Sequence, residues 1–360
     1  LEGTPAGRWA RVFSSAPMTD LVENSTAAAG LVIVEGSAFP LLIANSKAAN
    51  QTWITSQYTH YVRYAREEAR KIPSCVVRGL LAPVVSTLRF FSKRIGMDDV
   101  VYLNHYGVST NLWPEVSSEH VLEAARECAL KFPDKAIILR SLNARLNAPL
   151  IHALRARGFI LIPSRVTYTL PVDPKPRSRD FRRDEKLFND GTYTVRRSAS
   201  LSTTEIRRCE ELYRMLYMDK HSAYNARYTE EFINAARETN FLSFTLLERS
   251  GIVDGVIGTF VNHGVLTCPI LGYDTSKPRS LGLYRRLSMA IYRDAASRGC
   301  DQIHRSAGVG DFKKTRGATP STEFSAVYPT RRPRSARVFW RALENLCSKF
   351  VAPMVERFKL

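Results

Sequence analysis

The chain has 360 residues, 44% of them hydrophobic and 24% charged, which is enough for two ordinary domains with a buried core. No apolar run approaches the roughly 18 residues that a membrane span needs, so the sequence predicts no transmembrane segment. Lysine and arginine together number 52 against 34 acidic residues, a net charge of +18. That excess favours polyanionic partners such as nucleic acid, anionic lipid or phosphorylated cofactors, although a basic surface that only aids solubility gives the same count.

Cysteine and histidine show none of the spacings that mark metal sites. The six cysteines are scattered along the chain, at 75, 128, 209, 268, 300 and 347. None forms a C-x-x-C pair, and the histidines form no H-E-x-x-H motif. We therefore expect free thiols in a reducing compartment, with neither a metal nor a redox cofactor.

Hydrophobic periodicity and turn residues predict α/β structure in the first half of the chain. In chain order, the elements are a hairpin at 30–45, a helix at 116–132, a strand at 136–142, a helix at 148–158 and a strand at 159–170. Pro163 within the last strand indicates an edge or bulged position, because proline cannot donate to a ladder.

The stretch PVDPKPRSRDFRRDEK, residues 171–186, carries three prolines and dense charge, which indicates an exposed connector between two halves. Beyond it, the elements are helices at 201–218 and 229–239, strands at 241–249, 255–262 and 264–273, a helix at 282–299, and strands at 302–307 and 323–328. Both halves close with a strand, a helix, a glycine and a strand. We therefore predict a tandem duplication of one fold.

The predicted organisation has four parts. They are an N-terminal domain at 1–172, a linker at 173–190, a C-terminal domain at 191–330 and a basic amphipathic helix at 331–360. The last helix is expected to pack against its domain. Peripheral membrane contact is the alternative, because Trp340 lies among arginines there.

The sequence TCPILGYDTSKPRSLGLYRR, residues 267–286, joins a strand that ends at Tyr273 to a long helix through a turn containing Gly282. Such a junction is an anion site, because the first-turn N–H groups of the helix are unpaired and lie at the positive end of its dipole. A second stretch, SAGVGDFKKTRGA at 306–318, has a Gly-rich turn but lacks the G-x-x-x-x-G-K-[ST] pattern of a Walker loop.

Both stretches resemble motifs of the GNAT acyltransferase superfamily, in its BioF2-like and Fem-like branch. Arg279 and Gly282 are similar to the Q/R-x-x-G-x-G/A donor signature, with Tyr284 at the last, normally small, position. Phe312-Lys313, with Gly-Ala four residues after that lysine, is similar to the pattern that follows the donor helix in this branch.

The resemblance covers residues 192–330 well, and Fem-like proteins are tandem pairs of such domains. It implies an α/β (α+β) fold of two tandem GNAT-like domains. Each would have a mixed, mostly antiparallel central sheet flanked by helices.

In this superfamily the donor turn holds the pyrophosphate of an acyl-CoA. The resemblance therefore implies an acyl-CoA, or another acyl thioester, as the donor. The residues that it assigns to the donor turn are Arg279, Leu281, Gly282, Leu283, Tyr284 and Arg285.

Acyl transfer to an amine needs an uncharged nucleophile, a polarised carbonyl and a proton for the leaving group. The resemblance implies that the strand at 267–273 supplies backbone N–H groups to the carbonyl. Candidate proton-transfer groups are Asp274, Tyr273 and His304, each with an ordinary structural role as its alternative. Candidate acceptor contacts are Lys220, His221, Tyr224, Asn225, Tyr228, Thr267, Lys313 and Arg316.

The sequence thus predicts a GNAT-type N-acyltransferase, located in the cytoplasm or peripherally at the membrane. It would move an acyl or aminoacyl group from a CoA, carrier-protein or tRNA-linked donor to a small-molecule amine. Acyl-CoA follows from the resemblance, whereas an acyl carrier protein or an aminoacyl-tRNA suits the charge of +18. The alternative is a non-catalytic, degenerate GNAT scaffold that binds RNA or anionic membrane.

Overall fold

The computed structural model describes residues 1–48, 51–70, 75–173, 178–198, 200–330 and 333–351. Its α-helices are α1 Pro5–Ser15, α2 Met18–Leu21, α3 Ala65–Arg70, α4 Cys75–Arg94, α5 Ser118–Lys131, α6 Ala148–Ala156, α7 Arg179–Phe188, α8 Thr203–Arg214, α9 Glu230–Glu238, α10 Leu283–Ser297, α11 Gly310–Lys314 and α12 Arg334–Leu346. Its strands are β1 Ala28–Val34, β2 Ser37–Ile43, β3 Val100–Leu103, β4 Ala136–Asn143, β5 Ile160–Pro171, β6 Thr194–Ser198, β7 Ser243–Arg249, β8 Ile252–Asn262, β9 Val265–Tyr273, β10 Gln302–His304 and β11 Thr319–Tyr328. Short π-helical segments occur at Thr59–Tyr64, Met215–Asp219 and Cys347–Val351, and a 3-10 turn at Arg279–Leu281.

The chain forms two compact units, each assembled from separate segments. Unit 1 comprises Leu1–Glu23, Leu112–Pro114 and Val166–Ser321. Unit 2 comprises Asn24–Asn111, Glu115–Arg165 and the chain from Thr322 onward. The domains predicted at 1–172 and 191–330 are continuous in sequence. The compact units instead place the N-terminal helices in unit 1 and divide both β5 and β11 between the two units.

The sheet of unit 1 has the strand order β5-β10-β9-β8-β7-β6. Neighbouring strands are antiparallel except β9 and β10, which are parallel and are joined by α10. A parallel pair needs such a crossover, because a tight turn cannot bring the chain back in the same direction. The strands predicted at 241–249, 255–262 and 264–273 are β7, β8 and β9.

The sheet of unit 2 has the strand order β1-β2-β3-β4-β11. Here β3 and β4 are the parallel pair, joined by α5, and the other pairs are antiparallel. In each unit the crossover is followed by another helix, α6 or α11, and then by a strand. The prediction of a repeated α/β fold with a mixed, mostly antiparallel sheet is confirmed.

The principal helices begin where the sequence supplies a cap. The Ser117 hydroxyl accepts from the His120 N–H at the start of α5, and Ser202 with Glu205 forms a capping box at the start of α8. Helix α10 is followed by Gly299 at φ 63°, a conformation that suits glycine. The single helix predicted at 201–218 is α8 continued by the π-helical segment Met215–Asp219.

The stretch predicted as an exposed linker, 173–190, contains a packed helix. Residues 174–177 lie outside the described part of the chain, but α7 follows them, N-capped by Ser178. Phe181 and Asp184 on α7 are buried, and the Phe181 ring meets Tyr292 of α10 edge-on at 4.9 Å. The expectation of an exposed connector was wrong for this segment, because two of its side chains complete the surface of α10.

The N-terminal helices belong to unit 1 through contacts with α9. Trp9 on α1 is 1% exposed, and the Phe13 ring lies 6.1 Å from that of Phe232. The Thr229 hydroxyl, at the start of α9, donates to the Asp20 carbonyl at 2.6 Å. Residues 1–23 are therefore part of the unit that contains the predicted donor turn.

The core of unit 1 lies between the sheet and α10. The five apolar positions that give α10 its predicted stripe are all buried, namely Leu283, Leu287, Ala290, Ile291 and Ala295. Gly255 on β8 lets this helix come close, since a Cβ there would lie 3.1 Å from Leu287. Burial of this stripe fixes the helix, and with it the turn that precedes it.

The C-terminal helix packs as expected, on the face that carries Trp340. Trp340 is 1% exposed and Val338 on the opposite face is 68% exposed. The tryptophan is therefore part of the core of unit 2 and is not itself available for the membrane contact that the sequence offers as the alternative. No helix in the described ranges is long and apolar enough to cross a membrane. Residues 352–360, the end of the predicted helix, lie outside the described part of the chain.

The close packing of α8 on β9 makes Gly272 a test of the fold. A Cβ at Gly272 would lie 2.5 Å from the backbone N of Tyr213 and 2.6 Å from the backbone C of Leu212. We expect Gly272→Ala to lower the free energy of unfolding by about 1–3 kcal/mol, because backbone atoms cannot move aside as a side chain can. Urea denaturation measures this change. The matched control is Gly30→Ala on β1, where the nearest neighbour is at 3.9 Å, and equal effects of the two substitutions would contradict the packing argument.

Candidate active site

The predicted donor turn around Gly282 connects β9 to α10. Gly282 follows one 3-10 turn and has φ 61°, in the left-handed region. A Cβ at this position would lie 2.6 Å from Leu187 Cδ2 on α7. Both the left-handed backbone conformation and the close approach of the Leu187 side chain therefore favour glycine here.

The start of α10 presents unpaired backbone donors. The helix begins at Leu283 and no side chain caps it, so the N–H groups of its first turn have no acceptor within the helix. The N–H groups of Leu281 and Gly282, just before it, donate to carbonyls inside the turn. The Arg279 side chain is exposed nearby. The helix start is therefore the part of this turn that favours an anion.

Strands β9 and β10 part beside this helix. Their parallel ladder runs from Val265–Gln302 to Thr267–His304, where the Thr267 hydroxyl donates to the His304 carbonyl at 3.1 Å. Strand β9 then continues to Tyr273. The segment that follows β10 turns away at Ser306, which has φ 53°. Alternate backbone groups of 268–273 therefore face a gap instead of a neighbouring strand.

Five side chains of α10 and of the segments around it lie around this gap. The Tyr284 ring lies 4.9 Å from Phe312 and 6.4 Å from Tyr273. Arg305, directly after β10, donates from Nη2 to the Ser288 hydroxyl at 2.6 Å and interacts with the Tyr284 hydroxyl. Burial raises the pKa of Tyr284 and lowers that of Arg305. The gap is therefore bordered by hydroxyl groups and one guanidinium.

The donor turn fits the phosphate groups of a CoA molecule, but one of its residues departs from the signature of acyl-CoA binding. Uncapped N–H groups at the start of α10 suit a phosphate. At the signature's last position, however, the ring of Tyr284 occupies the space beside Phe312 that a small residue leaves open. The turn therefore fits a phosphate group, while its last position departs from the acyl-CoA signature.

Asp274, the first candidate base, is held as a carboxylate by protein partners. Its Oδ2 accepts from Arg208 Nη2 at 2.8 Å, and its Oδ1 accepts from the Ser276 N–H and hydroxyl at 3.0 and 2.5 Å. Burial acts to raise the pKa of Asp274, but the bonds from Ser276 and Arg208 outweigh it and hold the pKa below its ordinary value. Both oxygens are thus engaged in fixing the turn after β9.

Tyr273 and His304, the other proton-transfer candidates, lie in different surroundings. The Tyr273 hydroxyl is half-buried and accepts from Lys220 Nζ at 3.2 Å, with the ammonium 5.6 Å from the ring centre. His304 is buried, and its Nδ1 accepts from the Ser306 N–H at 3.2 Å. That bond places the imidazole proton on Nε2. Tyr273 is therefore the more accessible of the two groups.

The predicted acceptor residues at 220–228 divide into exposed and internal ones. Lys220 and His221 are exposed and Tyr224 is half-buried. Asn225 is buried and donates from Nδ2 to the Tyr217 carbonyl at 3.0 Å, while the buried Tyr228 ring stacks on Phe232 at 4.5 Å. Only the first three side chains are placed where a substrate can reach them.

Lys313 and Arg316, predicted to bind a substrate anion, have protein partners. Lys313 is 3% exposed, and its Nζ donates to the carbonyls of Arg305, Ser306 and Ala307 at 2.6, 3.2 and 2.7 Å. Arg316 pairs with the buried Asp184 of α7, as does Arg285 of α10. The structure gives both predicted cations a role in holding the turn after β10 and the helices around it.

The region that contains the donor turn and the gap is similar to a known protein family. Residues 175–314, within unit 1, match the family model described as an acetyltransferase (GNAT) domain. We call this matched part of the chain the GNAT domain. It includes the donor turn, the parting strands and the turn held by Lys313. A search of the curated proteins gives no match.

Solved structures extend the comparison beyond the GNAT domain. The chain is similar to the crystal structure of FemX, at 12% identity and a TM-score of 0.56, over 94% of this chain and 99% of that one. It is also similar to the C-terminal DUF2156 domain of a putative lysylphosphatidylglycerol synthetase from Agrobacterium fabrum. That match has 10% identity and a TM-score of 0.43, over 64% of this chain and 78% of that one. The family model supports the predicted likeness to the GNAT superfamily, and at 12% identity the FemX match shows a shared fold alone.

Sequence reasoning missed the charged residues that organise the GNAT domain. The sequence places Asp184 in the predicted linker, and Arg208 falls within the helix predicted at 201–218. Arg305 was included in a predicted strand at 302–307, although the strand ends at His304. One signal was available, since an Arg-Ser pair directly follows the last residue of the parallel ladder in each unit, at 140–141 and 305–306, and both serines have positive φ.

The engaged carboxylate of Asp274 predicts a pH-dependent contribution to stability. Because its pKa is lowered on folding, its stabilisation is complete above the unfolded value of about 3.9 and is lost as the pH falls through the folded value. We expect Asp274→Asn to reduce the free energy of unfolding more at about pH 7 than at about pH 3. Urea denaturation at both values measures this. Asp20→Asn, at an exposed position on α2, is the control, and an equal loss at both pH values in Asp274→Asn would contradict the assignment.

Proposed function

We propose that the protein is an N-acyltransferase that moves an acyl or aminoacyl group to a small-molecule amine. The donor would carry a phosphate bound at the start of α10, and the carbonyl would lie in the gap between β9 and β10. The observation that carries this proposal is the uncapped helix start at a turn whose left-handed backbone favours glycine. The match to a GNAT domain supports the reaction class.

The parting strands supply the groups that polarise the carbonyl. Backbone N–H groups of 268–272 that face the gap are fixed in the sheet, so they need no reorganisation as negative charge develops on the carbonyl oxygen. Fixed donors of this kind typically contribute about 10²–10³ in rate. Pro269 in this stretch has no N–H, which restricts the donors to its neighbours.

We assign proton transfer to Tyr273 in preference to Asp274. Asp274 has both oxygens engaged and a lowered pKa, so it is a poor base at neutral pH. The Tyr273 hydroxyl lies at the end of β9 and accepts from the exposed Lys220 ammonium, which holds the hydroxyl in place and leaves its own proton free to be donated. Lys220 acts on Tyr273 and is therefore a positioning residue, and His221 and Tyr224 would border the amine.

The need for a phosphate group limits the donor to three classes. Acyl-CoA, an acyl carrier protein with its phosphopantetheine and an aminoacyl-tRNA all carry phosphate groups, and all occur in the cytoplasm, where we place the activity. The charge of +18 favours the two macromolecular donors through their many negative charges. Tyr284 at the normally small position also favours a donor other than acyl-CoA.

A non-catalytic scaffold that binds RNA or anionic membrane is the second candidate. The observations that favour it are the engaged Asp274 and the aromatic residue at position 284. Such binding would depend strongly on salt, because it releases counterions, and would be insensitive to the shape of the donor turn.

A transfer assay over a panel of donors tests the proposed function. Acetyl-CoA, a long-chain acyl-CoA, an acyl carrier protein and an aminoacyl-tRNA are each incubated with mixed amines, and mass spectrometry detects N-acylated products. We expect transfer from one donor class, abolished in Gly282→Trp because the indole has no room beside Leu187. Transfer from none of them, together with salt-dependent binding of RNA or liposomes that Gly282→Trp leaves intact, would establish the second candidate.

With the donor identified, Tyr273→Phe tests the proton-transfer assignment. Loss of the hydroxyl should lower kcat by about 100-fold or more, with little change in KM, since general acid–base groups contribute about 10²–10⁴ in rate. Tyr292→Phe is the matched control, because that hydroxyl donates to the Asp173 carbonyl, away from the gap. A kcat within about twofold of wild type in Tyr273→Phe would remove this residue from the mechanism.

A further inference from the structure

Arg305 is the one guanidinium that borders the gap between β9 and β10 in the described part of the GNAT domain. It follows His304, the last residue of the parallel ladder. Its backbone N–H donates to the Tyr168 carbonyl at 2.7 Å, and its side chain reaches α10 at Ser288 and Tyr284. The residue is half-buried, so a ligand in the gap can approach it.

The partners of this guanidinium are neutral. Its side-chain contacts are the hydroxyls of Ser288 and Tyr284, and within the described ranges no carboxylate lies within 4.0 Å of it. The neighbouring arginines differ, because Arg285 and Arg316 pair with Asp184 and Arg286 pairs with Asp190. A partly buried cation without an opposite charge is costly, since burial removes water that it would otherwise bind.

The start of α10 adds to this positive charge. Tyr284, which interacts with Arg305, lies in the first turn of α10, where the unpaired N–H groups and the positive end of the helix dipole are found. The guanidinium is therefore linked through the Tyr284 side chain to the end of α10 that favours an anion. A phosphate bound at this helix end would add attraction to Arg305 as well.

The backbone of Arg305 is held firmly despite this cost. Lys313 Nζ donates to the carbonyls of Arg305, Ser306 and Ala307, and Ser306 has φ 53°. The Lys313 ammonium is thus hydrogen-bonded to carbonyl oxygens within the turn. Lys313 positions Arg305 and does not itself face a ligand.

The Arg-Ser pair of unit 2, which lies within β4 where its pairing with β11 is irregular, shows the contrasting, closed arrangement. Arg140 precedes Ser141, which has φ 59°, and its Nη1 donates to the Trp53 and Ile54 carbonyls at 3.2 and 2.5 Å. Arg140 is 3% exposed and stacks on the Trp53 ring at 4.9 Å. The copy in unit 2 is closed by protein carbonyls, whereas the copy in the GNAT domain leaves its guanidinium open.

From this geometry we propose that Arg305 binds a phosphate group of the donor, together with the first turn of α10. The planar guanidinium presents paired N–H groups that match the oxygens of a phosphate, which an ammonium does not. The inference rests on the proposed function for the identity of the ligand as donor. Its ligand chemistry, a phosphate ester or diester, is shared by CoA, a phosphopantetheinylated carrier protein and tRNA.

Isothermal titration with inorganic pyrophosphate tests the binding directly. We expect the wild-type protein to bind pyrophosphate, Arg305→Gln to bind at least about tenfold more weakly, and Arg305→Lys to fall between them. Arg293→Gln is the matched control, because it removes the same charge from α10 at an exposed residue that pairs with Glu185. It should stay within about twofold of wild type.

Three outcomes would overturn the inference. They are equal affinity in Arg305→Gln and wild type, an equal loss in Arg293→Gln, or no binding by wild type up to about 10 mM pyrophosphate. Thermal unfolding of each variant shows whether it is folded. If Arg305→Gln is unfolded, Arg305→Lys decides, because it keeps the charge and loses the paired geometry.

Separate titrations with CoA, a phosphopantetheinylated carrier protein and tRNA, at about 0.3 M salt to suppress non-specific attraction, distinguish the sources of the phosphate. The source whose affinity falls in Arg305→Gln is the ligand. If donor transfer is observed and its KM is unchanged in Arg305→Gln, the inference fails while the proposed function stands. If pyrophosphate binding depends on Arg305 but no donor is consumed, the inference stands and the proposed function fails.

Discussion

One buried carboxylate, that of Asp184, joins the elements on which the candidate site depends. It accepts from Arg285, two residues into α10, and from Arg316, just beyond α11. Leu187, one turn further along α7, fills the space beside Gly282. Helix α7 therefore supports the donor turn from behind, and the turn after β10 shares the same anchor. Removing one partner from a buried charged group of this kind leaves the others uncompensated, which makes the arrangement cooperative.

The positive groups around the donor turn fall into two sets, those paired with acceptors of the protein and those without a carboxylate partner. Arg285, Arg286 and Arg316 are paired with carboxylates, and Lys313 with backbone carbonyls. These groups hold the framework, and their charge is not available to a ligand. Among the described groups at this turn, the start of α10, the exposed Arg279 and the guanidinium of Arg305 have no carboxylate partner. The net charge of the chain therefore says less about the site than does the small subset of cations that the fold leaves uncompensated.

Local sequence patterns predicted the helices, the strands and the position of the donor turn. Hydrophobic periodicity and the backbone conformation of a glycine depend on only a few neighbouring residues. The apolar stripe of α10 and the left-handed Gly282 are of this kind. The sequence did not predict the helix at Arg179–Phe188, because its many charges and the preceding prolines hide the few apolar residues that it buries. Nor did it predict that Arg316 would pair with Asp184, 132 residues earlier, or that Lys313 would turn inward. Charged side chains have many possible partners, and only the tertiary fold selects among them.

The N-terminal helices have a consequence for synthesis on the ribosome. Phe13 packs against Phe232, so α1 has no docking surface until more than half of the chain has been translated. At about 5–20 residues per second, that delay is on the order of 10–40 s. During this interval the apolar face of α1, with Trp9 at its centre, is exposed to the surrounding medium. The later segment that carries Phe232 must therefore emerge before this face can be buried.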